Sequence, residues 1–215
     1  MDTKEIVEIL NILESEYPKW NAPIVTLVSR RSNDPFQTLM STILSLRTKD
    51  RVTAEATYRL LNAGKTPRAI LDIPLEKLKK LIYPVGFYNT KARNIHKICK
   101  LLIEKYDEVV PDSLDELLKF PGVGRKTANL VITLGYNRPG ICVDTHVHRI
   151  SNRFGYVQTK TPEQTEFVLR DKLPMEWWIK YNDILVAFGQ TICRPVKPKC
   201  VDCPINQLCP KVGVK

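Results

Sequence analysis

Apolar positions recur at helical spacing along almost the whole chain. Ile6, Ile9, Leu10 and Leu13 share one helical face. So do Phe36, Leu39, Met40, Ile43 and Leu44, which follow Asn33-Asp34-Pro35, a sequence suited to starting a helix. Leu75, Leu78, Leu81 and Ile82 predict a short helix after Leu71-Asp-Ile-Pro74, and residues 91–106 carry Ile95, Ile98, Leu101 and Leu102 in one stripe. Pro111-Asp-Ser113 predicts the cap of another short helix ending near Phe120. Further helices are predicted from Arg125 to Leu134, stopped by Gly135, from Asp144 to about Arg153, from Pro162, and from Trp178 to Ile192. No segment alternates as a half-buried strand would, and no repeat, low-complexity tract or long linker interrupts the series. The predicted fold class is all-α with short connections.

With 215 residues the chain can bury a substantial core, as one large domain or two small ones. No run approaches the ~20 apolar residues that a membrane span needs. The acidic, amphipathic N-terminus lacks the basic-then-apolar order of a signal peptide. The expected compartment is therefore the cytoplasm, where thiols stay reduced. Net charge is +10, yet residues 1–20 are net −3, which leaves +13 on the remainder. Such asymmetry suits a face made for a polyanion. Generic solubility accounts for it equally well.

Four of the six cysteines fall within the last 23 residues, as Cys193, Cys200, Cys203 and Cys209. In a reducing compartment this clustering argues for a metal centre rather than two disulfides. Zinc sites often use two Cys-x-x-Cys units, whereas here there is one, with outlying cysteines on each side. Cys203-Pro204 and Cys209-Pro210 match the cysteine–proline ends of ferredoxin-type runs, which favours a four-iron, four-sulfur cluster. Between the first two ligands, Arg194, Lys197 and Lys199 lie on a loop stiffened by Pro195 and Pro198, an arrangement suited to phosphates. Cys99 and Cys142 lie apart in apolar surroundings and read as buried hydrophobes.

A second unusual segment, Pro121-Gly-Val-Gly124, separates two helical runs. Glycines two apart permit a tight turn. The amides of Gly122, Gly124 and Arg125 would then point from the start of the next helix as an anion site, able to hold a DNA phosphate without reading sequence. A plain turn between antiparallel helices is the simpler alternative; the following Arg125-Lys126 and the basic balance favour the phosphate.

The segment from Leu117 to Asn129, Leu-Leu-Lys-Phe-Pro-Gly-Val-Gly-Arg-Lys-Thr-Ala-Asn, resembles the helix-hairpin-helix of the endonuclease III family of DNA glycosylases. Val143-Asp-Thr-His-Val-His-Arg-Ile-Ser-Asn-Arg153 resembles that family's catalytic aspartate segment, and the cysteine spacing resembles its [4Fe-4S] loop. The resemblance runs from about Asp34 to Pro210 and includes Gly86-Phe-Tyr-Asn-Thr-Lys-Ala92. It implies two helical lobes with a DNA cleft between them. One, residues 29–135, is a six-helix barrel ending in the hairpin at about 112–135. The other combines residues 1–28 with 136–215 and carries the cluster.

The resemblance also implies the chemistry. Lys126 becomes the nucleophile and Asp144 its acidic partner. An amine displacing a base from deoxyribose forms a Schiff base, and β-elimination then breaks the strand. The implied enzyme is a bifunctional glycosylase and abasic-site lyase removing oxidised pyrimidines from duplex DNA. Relatives resembling the adenine glycosylase that acts opposite oxidised guanine lack the lysine and have glutamate where this chain has Thr42. The base must first be extruded and its gap filled. Arg47 stands where the family usually has a gap-filling glutamine, and Phe87 matches the apolar wedge. His146 resembles a base-pocket residue, and Asp50 is a further pocket candidate. His148 and His96 read as surface or packing residues. The implied protein is a monomeric, nucleoid-associated prokaryotic enzyme. Two alternatives remain: a mismatch thymine or uracil glycosylase of the same fold, and a non-catalytic DNA-binding module built on the hairpin and a zinc knot. Borohydride trapping separates the Schiff-base enzyme from both.

Overall fold

The computed structural model describes residues 1–214. Its first helix, α1 (Thr3–Glu16), starts on a reciprocal cap. Asp2 Oδ1 accepts from the Glu5 amide at 2.9 Å, and Glu5 Oε2 accepts from the Asp2 amide at 2.6 Å. There follow α2 (Ile24–Ser32), α3 (Pro35–Ser45), α4 (Asp50–Ala63), α5 (Pro67–Leu71), α6 (Leu75–Ile82), α7 (Tyr88–Lys105), α8 (Leu114–Leu118), α9 (Arg125–Leu130), α10 (Thr145–Arg153), α11 (Pro162–Lys172) and α12 (Trp178–Thr191). Short 3-10 turns occupy Tyr17–Lys19 and Met175–Trp177. Among the described residues there is no strand, as the apolar periodicity predicts, and no helix long and apolar enough to cross a membrane.

The chain divides into two units. One, Ile24–Arg138, contains α2 to α9. Its centre is α3, in which Phe36 and every residue from Thr38 to Leu44 are buried. The polar ones among them return their hydrogen bonds to the helix itself: Thr42 Oγ1 and Ser41 Oγ donate to Thr38 O at 2.7 and 3.0 Å. Apolar side chains of α6, α7 and the hairpin complete this core. The apolar pattern did not predict α2, α4 or α5. The buried face of α4 is Thr53, Ala56, Thr57 and Leu60, and that of α2 is Val25, Thr26 and Ser29, so neither carries an apolar stripe.

The helix expected from Arg125 to Leu134 is also different in detail. Its α-helical part ends at Leu130, and Val131–Gly135 widens into a π-turn. The widened turn lets the Leu134 carbonyl accept from Ser29 Oγ at 2.6 Å, while Thr133 Oγ1 donates back to Asn129 O at 2.8 Å.

The other unit joins Met1–Pro23 to Pro139–Lys215 and contains α1 and α10 to α12. The α1 stripe of Ile6, Ile9, Leu10 and Leu13 is fully buried in a core with Tyr181, Leu185 and Phe188 of α12. Trp20 packs on Phe188 with ring centroids 5.4 Å apart, and Tyr17 donates to Asp183 Oδ2 at 2.6 Å. Helices α10 and α12 meet at Gly189, where a Cβ would lie 2.6 Å from His146 Nδ1 and 2.9 Å from Ile150 Cδ1.

Candidate active site and nucleic-acid interface

The hairpin belongs to the Ile24–Arg138 unit. Leu117, Phe120 and Val123 anchor it in the core, and the Val123 amide closes the turn on Phe120 O at 3.1 Å. Its two glycines differ. Gly122 has φ +78, a backbone conformation that requires glycine, and a Cβ there would lie 2.4 Å from Asn94 Nδ2, so the Asn94 side chain would have to move. Gly124 has φ −102, and a Cβ there would touch nothing within 4 Å. No internal requirement explains the second glycine; what it leaves is an exposed backbone at the N-cap of α9. Arg125 and Lys126 follow as the first two residues of that helix, both half-buried.

In the same unit, two turns bring Arg47 and Phe87 together. Arg47 follows α3, Phe87 precedes α7, and both have left-handed backbones, with φ 52 and 58. The Arg47 guanidinium carbon lies 5.5 Å from the centroid of the Phe87 ring, which is 63 % exposed. Asp50, the first residue of α4, has a structural contact: its Oδ2 accepts from the Ile24 amide at 3.3 Å at the start of α2.

Asp144 belongs to the other unit and is the N-cap of α10. Its Oδ1 accepts from the amides of His146 and Val147 at 2.8 and 2.9 Å. His146 is half-buried where α10 crosses α12, with Nδ1 3.1 Å from Arg149 Nη2. His148 turns elsewhere: its Nδ1 lies 2.7 Å from Thr165 Oγ1, and burial lowers its pKa below the usual histidine value.

Cys193, Cys200, Cys203 and Cys209 all line one hollow of about 20 Å³, partly open to solvent. None forms a disulfide. Burial, reinforced by the neighbouring thiols, pushes Cys203 up to about 11 and raises Cys209 as well. A cationic centre would oppose that rise and hold Cys203 and Cys209 as thiolates. Among the described residues no three His, Cys, Asp or Glu side chains stand close enough together to hold a metal ion. Cys99 and Cys142 are buried away from the hollow, and burial pushes Cys99 up to about 12.

Arg194, Lys197 and Lys199 are exposed on the loop between the first two of these cysteines. The loop is held by a residue that the sequence reading passed over. Arg153, in the last turn of α10 and only 9 % exposed, donates to Arg194 O at 2.7 Å, Pro195 O at 3.0 Å and Cys193 Sγ at 3.3 Å. Arg149, one turn earlier, donates to Cys193 O at 2.9 Å. Lys91 was passed over in the same way. It is 6 % exposed on α7, and its Nζ reaches Leu44 O, Leu46 O and Thr48 Oγ1 at 2.8, 2.6 and 3.2 Å.

The HhH-GPD superfamily of base excision DNA repair proteins matches residues 40–175. Endonuclease III of Thermotoga maritima is 47 % identical over 181 residues, covering 84 % of this chain and 85 % of that protein. Endonuclease III of Haemophilus influenzae is 37 % identical over 209 residues, covering 97 % and 96 %. Among solved structures, a trapped endonuclease III–DNA covalent intermediate superposes with a TM-score of 0.87 at 35 % identity, covering 98 % of this chain and 97 % of that one.

Proposed function

Because the chain belongs to the HhH-GPD superfamily of base excision DNA repair proteins, and within it to the endonuclease III family, we propose that it removes damaged pyrimidines from duplex DNA and cleaves the resulting abasic site through a Schiff base on Lys126. It is a DNA glycosylase and abasic-site lyase of base excision repair. One observation carries the residue assignment: Lys126 stands at the second position of the helix that leaves the Gly122–Gly124 turn, with Arg125 before it.

The chemistry follows from residue types. An unprotonated Lys126 Nζ attacks C1′ of the extruded nucleotide, the bond from C1′ to the base breaks, and the base leaves with a proton. Asp144 accepts the amine proton and stabilises positive charge developing on the sugar. Opening of the sugar ring gives an iminium, which acidifies C2′. Loss of a C2′ proton then expels the 3′ phosphate. The hairpin amides contact phosphate without reading sequence, and the exposed Gly124 backbone supports that role. Arg47 and Phe87 fill the gap left by the flipped base, His146 and Asp50 line the pocket that receives that base, and Arg194, Lys197 and Lys199 hold phosphates.

The four cysteines fit a [4Fe-4S] cluster by number, by unpaired state and by lining one hollow together. With four thiolates its irons have no open position, so the chemistry it supplies when bound is structural: it fixes the loop from Cys193 to Cys200. Six unpaired cysteines suit a cytoplasmic enzyme working at the nucleoid.

Borohydride reduction tests the proposal. Wild-type protein should become covalently linked to thymine glycol duplex, and Lys126→Ala should not. Linkage of the variant at the wild-type rate removes Lys126 as the nucleophile.

A further inference from the structure

Lys91 takes no part in the chemistry just described, yet an ammonium buried to 6 % exposure needs a reason to be there. Desolvation lowers its pKa from 10.5 to about 8. The reason lies in what it touches. Its Nζ donates to Leu44 O and Leu46 O, the carbonyls that end α3, and to Thr48 Oγ1. Its own amide donates to Phe87 O at 3.0 Å. One residue therefore ties together the two turns that carry Arg47 and Phe87.

The junction has two further parts. Thr48 Oγ1, already bonded to Lys91, also accepts from the Gly86 amide at 3.1 Å. The turns approach so closely that a Cβ at Gly86 would lie 2.5 Å from Arg47 O. Arg47 and Phe87 both occupy the left-handed region, which costs an L-residue ~1–2 kcal/mol each. Such strain persists only where the surroundings over-determine it. A cation bonded to the carbonyl just before Arg47, and to the hydroxyl just after it, does this.

We propose that Lys91 is a positioning residue for base extrusion, locking the turn at residues 46–48 against the turn at 86–87 so that Arg47 and Phe87 enter the duplex as one preassembled wedge. This rests on reading those two residues as the gap-filling pair.

The test compares single-turnover base release from a thymine glycol duplex with strand cleavage of a single-stranded abasic oligonucleotide, in which there is no gap to fill. Lys91→Met removes the donors, and Gly86→Ala drives the turns apart with Lys91 intact. Each should slow duplex base release by about 100-fold, while single-strand cleavage stays within about twofold of wild type. A 2-aminopurine opposite the lesion should lose its rapid fluorescence rise in both variants. Arg47→Ala with Phe87→Ala is the reference. If that pair leaves duplex release at the wild-type rate, the gap-filling reading fails. If the pair slows it but Lys91→Met and Gly86→Ala do not, the positioning role alone is overturned. Equal slowing of both substrates also overturns it, since Lys91 is then only a structural residue. Should Lys91→Met fail to fold, Gly86→Ala and Thr48→Val read the same junction.

Discussion

Arg153 offers the sharpest energetic test of how the cysteine loop is held. Its guanidinium spans Cys193 Sγ, Arg194 O and Pro195 O at 3.3, 2.7 and 3.0 Å from a 9 % exposed position. Arg153→Ala removes these three bonds, together with a longer one to Cys193 O at 3.5 Å. Arg194 and Pro195 are exposed, so their carbonyls regain water and the loss is near the net worth of a hydrogen bond rather than a full desolvation cost. At about 1 kcal/mol each the sum is about 3 kcal/mol, or roughly two decades in the opening equilibrium of the loop. Loss of the cluster to a chelator, followed by bleaching of visible absorbance, should therefore run about 100-fold faster in the variant if release passes through that opening. Far-UV circular dichroism should not change. Arg153→Lys should fall between the two, because one ammonium cannot span acceptors arranged for a planar fork. Bleaching of Arg153→Ala within about twofold of wild type would refute the reasoning, because the clamp would then contribute almost nothing. A purified wild-type protein that is colourless and holds zinc would instead remove the cluster assignment itself.

Burial lowers Lys91 from 10.5 to about 8, so between those pH values the unfolded chain binds more protons at this site than the folded one. Its contribution to stability therefore improves as pH rises through that window. Compared by denaturant unfolding at pH 7.5 and pH 10, wild type should gain roughly 2 kcal/mol on Lys91→Met, and a constant difference would contradict the shift. Gly122→Ala should lower the melting midpoint, since φ +78 and the contact with Asn94 both oppose a methyl group, whereas Gly124→Ala should melt as wild type and bind DNA more weakly. Equal DNA affinity for Gly124→Ala and wild type would leave the exposed turn without a phosphate role. Asp144→Asn should keep the α10 cap, because asparagine caps as well as aspartate, but lose base release. Asp144→Ala should lose base release and also about 1 kcal/mol of stability, read by thermal melting.

What the sequence makes legible here is what it places close together. The hairpin, the aspartate cap of α10 and the four cysteines each occupy a short stretch, so their residue types and spacings carry the signal. The stripes of α1, α3 and α7 are legible because their buried faces are apolar. Those of α2 and α4 are not, because Thr26, Ser29, Thr53 and Thr57 are buried with their polarity concealed inside the core. Lys91 shows the boundary between the two cases. It lies one turn before Ile95 and within the same stripe, so its position alone marks a buried cation, as Arg153 after Val147 and Ile150 does on α10. Neither position names its partners. The acceptors of Lys91 lie 43 to 47 residues earlier and are mostly backbone carbonyls, which look the same in every sequence. Gly86 is the same problem seen from the opposite turn: the atom that forbids it a side chain is the Arg47 carbonyl, and no local pattern around residue 86 records that approach. Short-range spacing thus carries the candidate site residues, while the long-range contacts of Lys91, Gly86 and Arg153 become visible only once the chain has folded back on itself.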